Sequence, residues 1–238
     1  MSNKKGYHLF YFLLISCSVF QFTISQDSTK QNNYTRYQPA IDAFIKEDSL
    51  NPPPQHSIEF IGSSIFRRWE NLTEDMKPLL VYNRAFGGSR THEVLYFMDK
   101  IVFPYNPKII VYYCGSNDAG GSVPINNIVS NITMFFERVE EQLPETKIFF
   151  VSINRSPARK AKWGAIDSAN AIIRGYCSKS PRRKYIDVNP VLFDSMGSPR
   201  LELYLDDQLH FKEAAYGEFT KIIKPILLDE WYYNKKQQ

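Results

Sequence analysis

The chain has 238 residues, with 29 Lys and Arg against 25 Asp and Glu and a formal net charge of +4. That length suits one α/β domain able to bury a core without disulfides. The near-even charge balance argues against nucleic acid as a partner, and three cysteines, Cys17, Cys114 and Cys177, do not make a disulfide framework.

Residues 1–25 read as a leader. Lys4 and Lys5 precede an almost unbroken apolar run from Leu9 to Phe20, and polar Gln26-Asp27-Ser28 follows. This is the layout of a secretory signal peptide, with cleavage expected after Ser25. Two alternatives rank below it. Leu14-Ile15-Ser16-Cys17 matches a bacterial lipobox in which Cys17 is lipidated, and the whole stretch is close to membrane-spanning length. The expected location is therefore secreted, periplasmic or cell-surface, with membrane contact only through the leader. Loss of Lys4 and Lys5 changes the balance to 27 basic against 25 acidic side chains, about +2.

Residues 26–54 form an approach segment. A short helix is expected over Ile41–Leu50, stopped by Pro52-Pro53-Pro54, because proline lacks a donor and restricts the residue before it. Residues 55–232 then alternate strand-like and helical stretches. The strands are Ile58–Ile61, Leu80–Asn83, Lys108–Tyr113, Lys147–Ile153 and Lys184–Val188; the helices are Thr91–Phe103, Ile125–Leu143, Lys162–Cys177 and about Phe211 to Leu228. The central strands are continuous apolar runs, as parallel strands buried on both faces require. The pattern predicts a parallel sheet with right-handed crossovers and helices on both faces.

Ligands bind such sheets beyond the carboxyl ends of the strands. Gly62-Ser63-Ser64, Phe86-Gly87-Gly88-Ser89 and Gly115-Ser116-Asn117-Asp118 follow the first three strands and so gather at that edge. Cys114 and Cys177 read as buried free thiols, with a bridge in an oxidising compartment left open. Arg182-Arg183-Lys184 reads as a solvated loop before the last strand. Asn33, Asn71 and Asn131 head N-glycosylation patterns that matter only in a eukaryote.

Of the four histidines, His8 lies in the leader, His56 precedes the first strand and His92 opens a helix. His210 alone has a carboxylate three residues upstream, Asp207. One turn of chain lets Asp207 accept from the imidazole Nδ1–H, leaving the other ring nitrogen free as a general base. Such a base implies a nucleophile, and Gly62-Ser63-Ser64 offers one. No metal-ligand cluster is visible and no cofactor is expected.

Four motifs in order carry a resemblance: Ile58-Glu59-Phe60-Ile61-Gly62-Ser63-Ser64-Ile65, Asn83-Arg84-Ala85-Phe86-Gly87-Gly88-Ser89-Arg90-Thr91, Gly115-Ser116-Asn117-Asp118 and Asp207-Gln208-Leu209-His210. Together they resemble the SGNH, or GDSL-type, serine hydrolases. The resemblance implies a flavodoxin-like three-layer α/β/α sandwich with a five-stranded parallel sheet. It implies Ser64 as nucleophile, His210 as base, Asp207 as its orienting acid, and an oxyanion hole of the Ser64 and Gly88 N–H groups and the Asn117 amide. The activity implied is hydrolysis of carboxylic esters without a cofactor. The substrate would be an acetylated carbohydrate or a lipid ester, with short O-acetyl groups favoured because no long lid is visible. A lysophospholipase or thioesterase and a noncatalytic binder on the same scaffold stand as alternatives. A nucleotide binder does not fit, because Gly62-Ser63-Ser64 is too short to cradle phosphates. Ser63 stands where the family usually has aspartate, so register assigns Ser64. Ala85 replaces a frequent glycine. Arg90 and His92 follow Gly88 and are placed to line the site, with no role assigned to His92; Arg155, Arg159 and Lys160 follow the fourth strand at the site's edge, where an anionic or sugar substrate and a solvated loop are both open readings.

Overall fold

The computed structural model describes residues 34–233. The expected leader, Cys17 and Asn33 lie outside them. Helix α1 (Gln38–Leu50) starts earlier than expected because Pro39, in its first turn, is preset for helix geometry. Five strands follow: β1 (Ile58–Gly62), β2 (Val81–Asn83), β3 (Ile109–Tyr113), β4 (Lys147–Val151) and β5 (Arg183–Ile186). They form one all-parallel sheet in the order β2-β1-β3-β4-β5. Short helices α2 (Ser64–Arg67), α3 (Leu72–Asp75) and α5 (Ser116–Gly120) sit in the crossovers beside the longer α4 (Thr91–Ile101), α6 (Ile125–Gln142) and α7 (Trp163–Cys177). The last helix, α8, spans Glu213–Tyr233.

Side chains alternate across a strand, so β3 supplies both cores. Ile110 and Tyr112 join Val94, Phe97, Ile132, Phe135, Phe136, Ile166 and Ile173 under α4, α6 and α7. Ile109, Val111 and Tyr113 join Phe66, Trp69, Phe219 and Ile223 under α2 and α8. Each buried side chain of this size contributes about 1.5–3 kcal/mol. Cys114 and Cys177 are buried and unbridged. Among the described residues no helix is long and apolar enough to cross a membrane.

Three further differences from the sequence expectation have physical causes. β4 stops at Val151, because the Asn170 side chain of α7 takes over the Ile153 backbone, accepting from its N–H at 2.9 Å and donating to its carbonyl at 2.8 Å. α8 starts at Glu213, since Phe211 is still held in an antiparallel bridge with Tyr204. Arg182-Arg183-Lys184 is not a solvated loop. Arg183 opens β5 and grips both carboxylate oxygens of Glu140 on α6, and Lys184 lies 3.9 Å from Glu230 on α8. Edge-strand position brings these cations against acidic helix faces.

Candidate active site

The end of β1 is built for a close approach. Gly62 has φ +138°, and a Cβ there would lie 1.7 Å from the Tyr113 carbonyl oxygen. Only glycine lets β1 turn out of the sheet at this point. Ser63 then caps α2, and its carbonyl accepts from the Phe66 and Arg67 N–H groups, both at 3.1 Å. Ser64 is thereby fixed as the first residue of α2, at the carboxyl end of the sheet.

The segment before α8 brings its partner. Leu205 N–H donates to the His210 carbonyl at 2.8 Å and Gln208 N–H to the Leu205 carbonyl at 2.8 Å, closing a tight loop in which Gln208 takes φ +53°. Inside that loop Asp207 Oδ1 accepts from the backbone N–H groups of Leu209 at 3.0 Å and His210 at 2.9 Å. Asp207 Oδ2 lies 2.6 Å from His210 Nδ1, and His210 Nε2 lies 3.0 Å from Ser64 Oγ. Residues 146 positions apart thus meet in one hydrogen-bonded chain, Ser64–His210–Asp207.

Electrostatics set the direction of this chain. Partial burial pushes the Asp207 carboxyl up, but the hydrogen bonds from the His210 ring and from the His210 and Leu209 N–H groups outweigh it and hold the pKa at about 2. An ionised carboxylate only accepts. In neutral His210, Nδ1 must therefore carry the proton, Nε2 offers its lone pair, and the Ser64 hydroxyl donates.

The proposed oxyanion donors divide. Ser64 N–H donates to Ser63 Oγ at 2.6 Å, and the Asn117 amide donates to the same oxygen at 3.2 Å and to the Ser89 carbonyl at 3.1 Å. Ser63, at 2% exposure, therefore holds two of the three expected donors on one hydroxyl. Gly88 lies in the turn after β2 with φ +79°, a backbone geometry that suits glycine, and it is exposed. Next to it, Ser89 Oγ donates to the Gly62 carbonyl at 3.1 Å, tying the second turn to the first.

Two supporting side chains were not singled out by sequence. Asp118 is fully buried and accepts from the Thr91 N–H at 3.1 Å and the Thr91 hydroxyl at 2.7 Å, so it caps α4 and joins the second turn to the third. Burial raises its pKa despite the Thr91 hydrogen bonds. Its position next to Asn117 was a signal, but its partner is 27 residues away. Tyr37, before α1, is buried with its hydroxyl 3.7 Å from the Cβ position of Gly88. His92 meets Tyr34 edge-on.

Comparison with known proteins bears on the family and the fold. The sequence profile described as GDSL-like Lipase/Acylhydrolase family matches residues 60–217. Among curated proteins, none matches the chain. A Streptococcus pneumonia protein provisionally described as a platelet activating factor has a similar structure, at TM-score 0.72 and 22% identity over 84% of this chain and 97% of that one. A GDSL-like lipase from Bacteroides thetaiotaomicron is similar at TM-score 0.69 and 18% identity, covering 80% and 98%. A carbohydrate esterase family 3 protein from Talaromyces cellulolyticus is similar at TM-score 0.57 and 15% identity, covering 72% and 96%. With the profile spanning every segment that builds the site, from the end of β1 to the start of α8, the chain belongs to the GDSL-like lipase/acylhydrolase family of ester-bond hydrolases.

Proposed function

We propose that this protein is an exported serine esterase that removes short acyl groups, acetyl foremost, from a carbohydrate. The observation that carries the reading is the Ser64–His210–Asp207 hydrogen-bonded chain at the carboxyl edge of the sheet. Ser64 Oγ attacks the ester carbonyl carbon while its proton passes to His210 Nε2. The imidazolium so formed is stabilised by Asp207. The C–O bond to the alcohol then breaks, and the alcohol leaves with the proton from His210. Water adds to the acyl-serine with His210 again as base, releasing the carboxylic acid and restoring Ser64.

Negative charge on the carbonyl oxygen needs donors in both addition steps. Ser64 N–H and the Asn117 amide already converge on one acceptor, Ser63 Oγ. The oxyanion takes over from that hydroxyl, and Gly88 N–H completes the set. Removing one such donor typically costs about 3 kcal/mol. The Tyr37 hydroxyl, 3.7 Å from the Cβ position of Gly88, supports a small acyl group. The likeness to a carbohydrate esterase supports a sugar as the alcohol. Export rests on the leader pattern in residues 1–25.

The test is hydrolysis of 4-nitrophenyl acetate, butyrate and octanoate, and of acetylated xylose and glucose, beside the Ser64→Ala variant. Turnover that is fastest with acetyl esters and lost in Ser64→Ala is expected. Preference for octanoate refutes the acetyl reading, and undiminished turnover in Ser64→Ala refutes the serine mechanism.

A further inference from the structure

Among the described residues, two arginine side chains at the rim of the site have no hydrogen-bond or salt-bridge partner. Arg159 belongs to the loop after β4. Its neighbour Ala158 donates its N–H to the Gln208 carbonyl at 3.1 Å, so the loop is tied to the segment that carries Asp207 and His210. From there the Arg159 side chain crosses to α5. A Cβ at Gly120 would lie 1.9 Å from its Nη1 and 2.1 Å from its Cζ. Arg90 arrives from the other side, two residues beyond Gly88, and a Cβ at Gly121 would lie 2.7 Å from its Nη2. Gly121 N–H closes the turn of α5 onto the Asn117 carbonyl at 2.9 Å. Both guanidinium groups therefore stand one helical turn from Asn117.

Consecutive Cα atoms are about 3.8 Å apart, which holds the two guanidinium groups within about 10 Å of each other. Among the described residues neither side chain makes a salt bridge or a hydrogen bond, although both are partly buried. The Nε of Arg159 is shielded from solvent and lacks an acceptor. The acids around them are committed elsewhere: Asp118 to Thr91, Glu93 to Arg36 and the Arg90 backbone, Asp207 to His210. Two like charges with unused donors repel each other and carry a desolvation cost, and a shared anion relieves both. Glycine at positions 120 and 121 keeps the space that the guanidinium groups fill.

We infer that Arg90 and Arg159 form an anion subsite beside the reacting serine, and that the ester substrate carries an oxyanion group, carboxylate or sulfate. This deepens the esterase reading and rests on it. Guanidinium is the side chain best shaped for either anion, through paired N–H donors. A uronic acid or sulfated sugar bearing an acyl ester would satisfy both the subsite and the serine.

Two arms test the proposal separately. In the first, inorganic sulfate and acetate are titrated calorimetrically into the Ser64→Ala protein, which needs no turnover. Binding is expected, weakened about tenfold or more in Arg159→Gln and in Arg90→Gln, as loss of a charge-assisted hydrogen bond implies. In the second, kcat/KM is compared between 4-acetoxybenzoate and neutral 4-acetoxybenzamide, and between the sulfated and unsulfated forms of an acetylated sugar. The anionic-to-neutral ratio is expected to fall about tenfold in either arginine variant and in Gly120→Ala, and to recover in part in Arg159→Lys. Which anionic ester shows the larger ratio tells carboxylate from sulfate. No anion binding by the Ser64→Ala protein, or a ratio unmoved by both arginine variants, overturns the subsite. If no ester is turned over, the sulfate titration decides the subsite alone while the serine reading fails. Should Arg159→Gln fail to fold, Arg90→Gln and the titration of the unaltered arginines still decide it.

Discussion

Replacing Asp207 by asparagine isolates the direction of the hydrogen-bonded chain from its shape. Asparagine is isosteric. Its side-chain oxygen can keep the two backbone bonds from Leu209 and His210, at 3.0 and 2.9 Å in the parent. Its NH₂ then faces His210 Nδ1, where a carboxylate oxygen accepted at 2.6 Å. A donor at that place forces Nδ1 to accept, so the proton moves to Nε2. Nε2 is 3.0 Å from Ser64 Oγ and can no longer take its proton. The wrong tautomer in such a constellation costs about 10,000-fold in rate, which is about 5 kcal/mol. The assay is kcat/KM for 4-nitrophenyl acetate across pH 6–9, with circular dichroism to show that the variant is folded. A folded Asp207→Asn protein that loses less than about tenfold would refute the claim that Asp207 sets the tautomer.

The carboxyl of Asp207 is depressed from 3.8 to about 2 in the folded chain. Its stabilisation is complete above about pH 4 and is lost as pH falls through about 2; because the side chain is 47% exposed, it is held to about 1 kcal/mol. Urea midpoints of wild type and Asp207→Ala should therefore converge between pH 5 and pH 2, and a gap unchanged at pH 2 would contradict this. Gly62→Ala drives a methyl group to 1.7 Å from the Tyr113 carbonyl and should cost more than about 3 kcal/mol in urea denaturation; a stable variant would mean that β1 ends differently. Asn117→Ala should lower kcat about 100- to 1,000-fold with a small change in KM, and a pure KM effect would remove Asn117 from the oxyanion hole. Asp118→Ala uncaps α4 and leaves the Thr91 N–H without its acceptor, so a loss of about 1–2 kcal/mol in thermal or urea unfolding is expected.

Strand identity was legible because β3 is an unbroken apolar run and β1 is interrupted only by Glu59 before its closing glycine, and the sheet buries every residue of both. Boundaries were legible less well wherever a side chain from elsewhere replaces ladder pairing. Asn170 does this for Ile153, and the Ser152 hydroxyl accepts from Val188 N–H at 3.0 Å, so neither residue extends its strand. Glu59 in the middle of β1 looks like an exposed alternation in sequence. It is fully buried, its carboxyl is pushed well up by burial, and Tyr82 donates to it at 3.4 Å. The Ser64, Asp207 and His210 positions could be read from motif order, since Ser64 follows the turn after the first strand and Asp207 and His210 lie just before the last helix. The hydroxyl of Ser63 accepting from the Ser64 N–H and the Asn117 amide could not be read. It depends on a rotamer meeting Asn117 across 54 residues. The same holds for Arg90 and Arg159, whose meeting at Gly120-Gly121 is fixed only once two loops are folded onto α5.

Two adjacent serines make the identity of the nucleophile the central claim, and covalent trapping tests it most directly. The folded protein would be treated with a fluorophosphonate ester, digested, and the adduct located by fragment mass spectrometry, beside Ser63→Ala and Ser64→Ala. The geometry predicts a single adduct on Ser64, retained in Ser63→Ala and absent in Ser64→Ala, because His210 Nε2 faces Ser64 Oγ while Ser63 Oγ is turned to the Ser64 N–H and the Asn117 amide. An adduct on Ser63, or labelling that survives Ser64→Ala, would contradict it.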